Sequence, residues 1–188
     1  MSNRQGRLIV ISAPSGAGKG TVIGELRKLR PSIAYSVSAT TRAPRPGEKH
    51  GRDYYFMSED EFEAMAAGGK FLEHELYVGK RYGTPRIQIE KNIASGIDTI
   101  LEIEVKGARD VKRKIPDAVM IFIMPPDEDE LHRRLCGRGT STQTDLCERM
   151  AVARCEMAVS SEYEHVVVND DAFRTAREIL EILDTKSG

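Results

Sequence analysis

Along most of this chain, short apolar runs alternate with amphipathic ones. Arg7–Ser12 is a run rich in β-branched residues and predicts a buried strand. From Gly18 to Arg30 the residues Val22, Ile23, Leu26 and Leu29 recur at helical spacing, and Pro31 closes the segment. Residues 34–38 predict a short strand, 39–53 a polar loop with two prolines and two glycines, and 54–57 another strand. Ser58 and Glu61 form a capping box for a helix over 59–69 that Gly68 and Gly69 stop. Residues 70–84 read as mixed and strand-like; 85–96 read as a helix with Pro85 at its first position.

The second half repeats the alternation. Residues 99–105 predict a strand and 107–115 a helix ended by Pro116; 118–124 is the most apolar strand of all. Asp127 and Glu130 cap a helix over 128–139, and a polar stretch, 138–145, separates it from another over 146–162. A strand at 165–168 precedes a final amphipathic helix from Ala172 to Thr185. The strands near residues 8, 100, 121 and 167 are apolar throughout, as strands buried on both faces of a parallel sheet are. Those between about 35 and 78 are shorter and more polar, and read as a small mixed lobe inserted into the main sheet. The prediction is an α/β layered domain with a parallel core over about 1–33, 85–130 and 160–188, an inserted lobe over about 34–84, and a helical, lid-like segment over about 131–159.

Composition narrows this picture in three ways. A length of 188 residues suits one domain with a real core. The 28 basic and 29 acidic residues leave a formal charge of −1, which speaks against a general nucleic-acid or membrane binder and makes any basic site a local cluster. The first residues carry too short an apolar run for a signal peptide and no run reaches the length of a membrane span, so a soluble, cytoplasmic protein is expected. Cys136, Cys147 and Cys155 contain no CxxC pair, and are expected to be reduced thiols used as small buried hydrophobes.

The first candidate chemistry follows the first strand. Residues 13–21, Ala13-Pro14-Ser15-Gly16-Ala17-Gly18-Lys19-Gly20-Thr21, approach the pattern of a phosphate-binding loop, Gly, four residues, Gly, Lys, then Ser or Thr. Gly16 and Gly18 allow a tight turn that aims amides at a phosphate, Lys19 adds a mobile charge, and a helix beginning near Gly18 adds its dipole. Ala13 stands where the first glycine is usual, and Gly20 where a hydroxyl usually helps to hold Mg²⁺. Thr21 supplies that hydroxyl from the next position, or the ion is held mainly through water and phosphate oxygens; the second arrangement is preferred. Three further patches bear on the acceptor: a proline-bearing loop with Arg42, Arg45 and Arg52 followed by Tyr54, suited to a second phosphate; Glu73, Tyr82 and Thr84; and Arg133, Arg134, Arg138 and Arg149 around a polar turn.

On the stretches SAPSGAGK, SVSATTRAPRPGEKHGRDYYF, FLE, YGT, LEIE, RGT and VVVNDD, in that order and across almost the whole chain, the sequence resembles the guanylate kinases, which transfer a phosphoryl group from ATP to GMP. The resemblance implies a P-loop NTPase-type domain. It implies that Arg42, Arg45, Tyr54 and Tyr82 hold the GMP phosphate and that Ser38, Glu73 and Thr84 read guanine, with Glu104 among the GMP-binding residues. Guanine's pairing edge carries N–H donors that a carboxylate accepts and a carbonyl that a hydroxyl satisfies. Lys19 with Arg134, Arg138 and Arg149 would neutralise charge on the moving phosphoryl group, Asn169 would lie near the adenine of ATP, and dGMP would be accepted beside GMP. Mg²⁺ is the implied cofactor, with no certain direct protein ligand and Thr21 or Glu102 reaching it through water. No nucleic-acid or membrane partner is implied; bacterial-type members are often multimeric, which leaves a homo-oligomer open. Gly20, Glu104, Lys106 and the lid stretch 138–145 depart from the usual pattern. Guanylate-kinase-like binding modules usually lose the loop lysine and lid arginines, which this chain keeps; a kinase for another small phosphate ester would not need Glu73 where it stands.

Overall fold

The computed structural model describes residues 5–136 and 143–185. In chain order the elements are β1 (Leu8–Ser12), α1 (Lys19–Leu29), β2 (Ala34–Tyr35), β3 (Ala39–Thr40), β4 (Tyr55–Phe56), α2 (Glu59–Ala67), β5 (Phe71–Tyr77), β6 (Lys80–Pro85), α3 (Arg86–Ala94), β7 (Thr99–Glu102), α4 (Val105–Lys114), β8 (Val119–Met124), α5 (Glu128–Cys136), α6 (Gln143–Ala158), β9 (His165–Val168) and α7 (Ala172–Thr185). The fold is α/β, as the alternation predicts. One sheet has the strand order β2-β7-β1-β8-β9, with β2 parallel to β7 and β8 parallel to β9. A second, mixed sheet has the order β4-β3-β6-β5, in which β3 runs parallel to β4 and antiparallel to β6.

Two compact units divide the chain. One comprises Met1–Ile9, Ala34–Glu102 and Lys106–Ala118; the other comprises Val10–Ile33, Ile103–Val105 and Val119–Gly188. The first contains the mixed sheet. Its small core is Ala39, Phe62 and Phe71, with the rings of Phe62 and Phe71 stacked at 4.5 Å. The capping box is present in full: Glu61 N–H donates to Ser58 Oγ at 3.2 Å, and Ser58 N–H donates to the Glu61 carboxylate at 2.8 Å. In the second unit α1 packs on α7, α1 burying Val22, Ile23 and Leu26 and α7 burying Thr175, Ala176, Ile179 and Leu183. There α5 and α6 share a core of Leu131, Leu135, Leu146, Met150 and Ala153. Glu130 N–H donates to Asp127 Oδ1 at 2.7 Å, the expected cap of α5.

Several expectations are corrected. β9 is not buried on both faces: Val167 is buried, but Val166 and Val168 are 45% and 49% exposed. Its run of three valines records strand preference, and β9 has one neighbour, at the sheet edge. The strand predicted over 99–105 ends at Glu102, and α4 begins at Val105 although the apolar alternation continues. Pro85 closes β6 and caps α3 from outside its first turn. Tyr35 and Ala34 pair with β7, leaving β3 as the strand of the mixed sheet. The three cysteines are free thiols but all are exposed, since α5 and α6 fill their shared core with Leu, Met and Ala. Among the described residues no helix is long and apolar enough to cross a membrane.

Phe62 has no solvent exposure, and truncating it leaves a ring-sized void in a three-residue core. Phe62→Ala is expected to cost about 3–5 kcal/mol in urea unfolding; a loss under about 1 kcal/mol would show that the core closes over the gap.

Candidate functional site

The phosphate-loop half lies in the second unit. Residues 13–18 leave the buried strand and enter α1 through two glycines that both have positive φ, 91° at Gly16 and 87° at Gly18. A Cβ at Gly16 would stand 2.7 Å from Leu135 Cδ2, and one at Gly18 2.6 Å from Asn169 Nδ2, so a side chain at either would be strained by its backbone and would displace that neighbour. Between them Ala17 is fully buried, and its carbonyl accepts from Asn169 Nδ2 at 2.7 Å and from Arg134 Nη1 at 3.1 Å. Arg134 also donates to the Asn169 carbonyl at 2.9 Å and to Glu130 at 2.7 Å. Two of the sequence candidates are thus clasps on the underside of the loop. Ala13 and Pro14 are buried, and Pro14's carbonyl accepts from Ala17 N–H at 3.0 Å.

The outer side of the loop is polar. Lys19 Nζ lies 3.3 Å from Glu104 Oε1. Arg149 on α6 donates to Ser15 Oγ at 3.3 Å, and Ser15 N–H donates to Glu156 Oε2 at 3.1 Å. Burial pushes the Glu156 carboxyl above its ordinary range, while the Ser15 N–H opposes the shift. Glu156 was not read from the sequence; the signal was its seven-residue spacing from Arg149, which puts both on one face of α6. Gly20 is exposed and a Cβ there would meet nothing within 4 Å, so the missing hydroxyl is not a steric exclusion. Thr21 is exposed in the first turn of α1. Glu104 offers a hard oxygen donor beside Lys19 and Thr21 a hydroxyl elsewhere on the first turn of α1, a sparse set that suits an ion carried on phosphate oxygens and water better than one caged by protein. Arg138 lies outside the described residues.

The Arg42, Tyr54, Tyr82, Thr84 and Glu73 candidates lie in the first unit. Arg42 makes a two-pronged bond to Glu48, 2.9 Å on each side, and Arg45 N–H donates to the same carboxylate at 2.7 Å. This pairing holds the Arg42 guanidinium above and the Glu48 carboxyl below its ordinary value. The guanidinium lies over the rings of Tyr54 and Phe56, at 5.3 and 5.7 Å. Tyr54 meets Tyr82 edge-on at 6.1 Å. Tyr82 and Thr84 are two apart on β6 and therefore share a face. Thr84 is opposite Glu73 on β5, and its hydroxyl donates to the Glu73 carboxylate in a short hydrogen bond. Ser38 is half-buried, with its carbonyl accepting from Tyr55 N–H at 2.8 Å. Glu102 accepts from the Tyr35 hydroxyl at 2.8 Å. The structure therefore joins Arg42, Tyr54 and Tyr82 by ring contacts, pairs Thr84 with Glu73, and sets Tyr82 and Thr84 on one face of β6; it leaves the Arg45 side chain exposed and groups Glu104 with Lys19. Glu48 was not singled out from the sequence; its signal is the six-residue spacing from Arg42 within a proline-bearing loop.

Glu73 is 5% exposed, and burial pushes its carboxyl up to about 7, with the Thr84 hydroxyl opposing, Glu75 and Asp110 raising it further and Lys114 lowering it. A carboxylate that costs this much to keep out of water is built to be met by donors.

A buried strand, a glycine loop clasped from below and a helix beginning at its lysine define an α/β phosphate-loop protein. A family model described as guanylate kinase matches residues 5–186. The guanylate kinase of Rubrobacter xylanophilus is 52% identical over 180 residues, covering 96% of this chain and 94% of that protein, and that of Streptococcus thermophilus is 48% identical over 187, covering 99% and 89%. The crystal structure of guanylate kinase from Anaplasma phagocytophilum has a TM-score of 0.81 at 36% identity, over 97% of this chain and 87% of that one. An unliganded sugar kinase from Janibacter sp. HTCC2649 shares the fold at a TM-score of 0.52 and 14% identity. The chain belongs to the guanylate kinase family, a family of ATP:GMP phosphotransferases.

Without nucleotide, the buried Glu73 carboxyl has a stability signature. The folded chain holds its proton more tightly than the unfolded chain, whose value is near the ordinary 4.5. Stability from the protonated form is therefore complete below about 4.5 and lost as pH rises through about 7. Glu73→Gln should raise the thermal midpoint of the nucleotide-free protein at pH 8 and much less at pH 5. An equal gain at both would mean that burial does not retain the proton.

Proposed function

We propose that this protein transfers the γ-phosphoryl group of ATP to GMP, and to dGMP, giving ADP and GDP or dGDP. The observation that carries the reading is the β6 face, on which Tyr82, grouped with Arg42 and Tyr54 in a cluster suited to a phosphate, stands two residues from Thr84, whose hydroxyl pairs with the buried Glu73 carboxylate. In this reading Glu73 accepts from guanine's ring and exocyclic N–H groups, and the carbonyl is served by the Ser38 hydroxyl, or by the Thr84 hydroxyl once it turns from Glu73. Adenine would set an unprotonated ring nitrogen against the carboxylate and leave a buried charge unpaired, a mismatch that sites of this kind reject by roughly 10⁴-fold.

The acceptor is a phosphate, already anionic, so no general base is required. The chain's contribution is to position two phosphates and neutralise charge on the group in transit. Lys19 exchanges Glu104 for the β- and γ-phosphate oxygens. Arg134 and Asn169, by holding the Ala17 carbonyl, keep the loop amides aimed outward, and Arg149 and Arg138 add charge on the donor side. Arg42 exchanges part of its Glu48 pairing for the GMP phosphate, with Arg45, Tyr54 and Tyr82 beside it. The donor oxygens fit Mg²⁺, which when bound with ATP supplies charge neutralisation at the phosphates; Thr21 or Glu104 would contact it, directly or through water, with Glu102 a further carboxylate for water-mediated contact. Asn169 would stand near the adenine end of ATP.

With ATP and Mg²⁺ present and GMP, dGMP, AMP, UMP or CMP added singly, ADP is expected to form with GMP and dGMP alone. Absence of turnover in a protein that binds GMP would overturn the reading and point to Gly20 as the defect. Lys19→Ala should lower kcat by about 10²–10³-fold while GMP binding, measured by calorimetry, stays within about twofold; loss of GMP binding would contradict the role given to Lys19.

A further inference from the structure

The pairing of β5 with β6 is irregular at one place. Phe71 lies opposite Pro85 and Glu73 opposite Thr84, so Leu72 is an extra residue with no partner across the ladder. A bulge of this kind leaves backbone groups unpaired and re-aims the side chain that follows it. Here the side chain that follows is Glu73. The carbonyl of Leu72 accepts a short hydrogen bond from the ammonium of Lys114, in the last turn of α4. Lys114, Asp110 and Gly107 fall at helical spacing on one face of α4. Gly107 brings the helix backbone against the carboxylate: a Cβ there would stand 2.9 Å from Glu73 Oε2.

We propose that Lys114 is a positioning residue for guanine selection, fixing the direction of the Glu73 carboxylate by clamping the Leu72 carbonyl at the bulge. It acts from behind the base site and needs no contact with the nucleotide. The proposal rests on the reading of Glu73 as the residue that accepts from guanine. The clamp has an electrostatic side as well. Among the groups acting on Glu73, the Thr84 hydroxyl and Lys114 favour the ionised form, while burial, Glu75 and Asp110 favour the neutral one. A neutral Glu73 carries a hydroxyl donor where guanine presents donors of its own, so GMP binding weakens as pH falls through about 7. Removing Lys114 loosens the carboxylate and moves that pH midpoint upward; removing the Asp110 charge moves it downward.

The test is steady-state kinetics of the full chain from pH 5.5 to 9, with IMP, which lacks the exocyclic amino group, as the competing acceptor. Lys114→Met is expected to raise the KM for GMP about five- to tenfold, to leave kcat within about twofold, to narrow the preference for GMP over IMP, and to shift the pH midpoint of KM upward. Lys114→Arg should restore all four. Combined with Glu73→Gln, Lys114→Met should add little to the effect of Glu73→Gln alone, because one residue acts through the other. An unchanged KM in Lys114→Met beside a raised KM in Glu73→Gln, or effects that add in full, would overturn the proposal while sparing the reading of Glu73. An unchanged KM in Glu73→Gln would remove that reading and the proposal with it. If Lys114→Met folds poorly, Lys114→Gln, which shortens the side chain and removes its charge, decides the same question: the GMP KM should rise and the preference over IMP narrow, and wild-type values of both overturn the proposal.

Discussion

A carboxyl group held out of water is the constraint around which the β5–β6 region is arranged. Burying a carboxylate is unfavourable unless donors meet it, and the nucleotide-free chain supplies Glu73 with one, the Thr84 hydroxyl. The local architecture follows from that. The bulge at Leu72 turns the carboxylate inward, Gly107 lets a helix backbone come close behind it, and Lys114 offsets part of the repulsion from Glu75 and Asp110. Under the proposed function a base with two neighbouring N–H groups would complete the carboxylate's hydrogen bonding, and affinity and selectivity would share a source.

The phosphate loop answers the opposite problem. It must gather positive character without a side chain in the way, so its turn consists of glycines in a conformation that L-residues avoid and an alanine whose carbonyl is tied back. Arg134 spends its donors on backbone carbonyls and on Glu130, an expensive use of a cation unless the loop's shape is the object. Anions are already engaged there: Glu104 lies beside Lys19 and Glu156 accepts from Ser15 N–H. In the proposed function a bound polyphosphate would take the place of these carboxylates, which meanwhile compensate the cationic loop.

Much of this was legible in the chain. Alternating apolar and amphipathic runs carried the α/β class, because the 2.0 and 3.6 periods are imposed by burial and survive in any sequence that folds this way. The Ser58–Glu61 box and the Asp127 cap were readable because capping is local chemistry. The two-sided burial of β9 was misread, since valine satisfies both strand preference and burial and does not distinguish them. The β5–β6 turn was missed because only its second residue, Gly79, is a usual turn former, while Val78, at φ 47°, takes a left-handed conformation that asparagine would have advertised. Lys19, Arg42 and Glu73 were identifiable by motif and resemblance. Glu48, Glu156, Gly107 and Lys114 were not, because each matters through a partner distant enough in sequence, or on another element, that only the folded chain brings the pair together.

The thiols of Cys136, Cys147 and Cys155 lie on α5 and α6, all facing solvent, and the remainder of the chain has no cysteine. A maleimide fluorophore or nitroxide would therefore decorate this helical hairpin alone, without mutagenesis, and report on its movement against any second probe. The same chemistry makes the hairpin the part of the molecule that air oxidation reaches first.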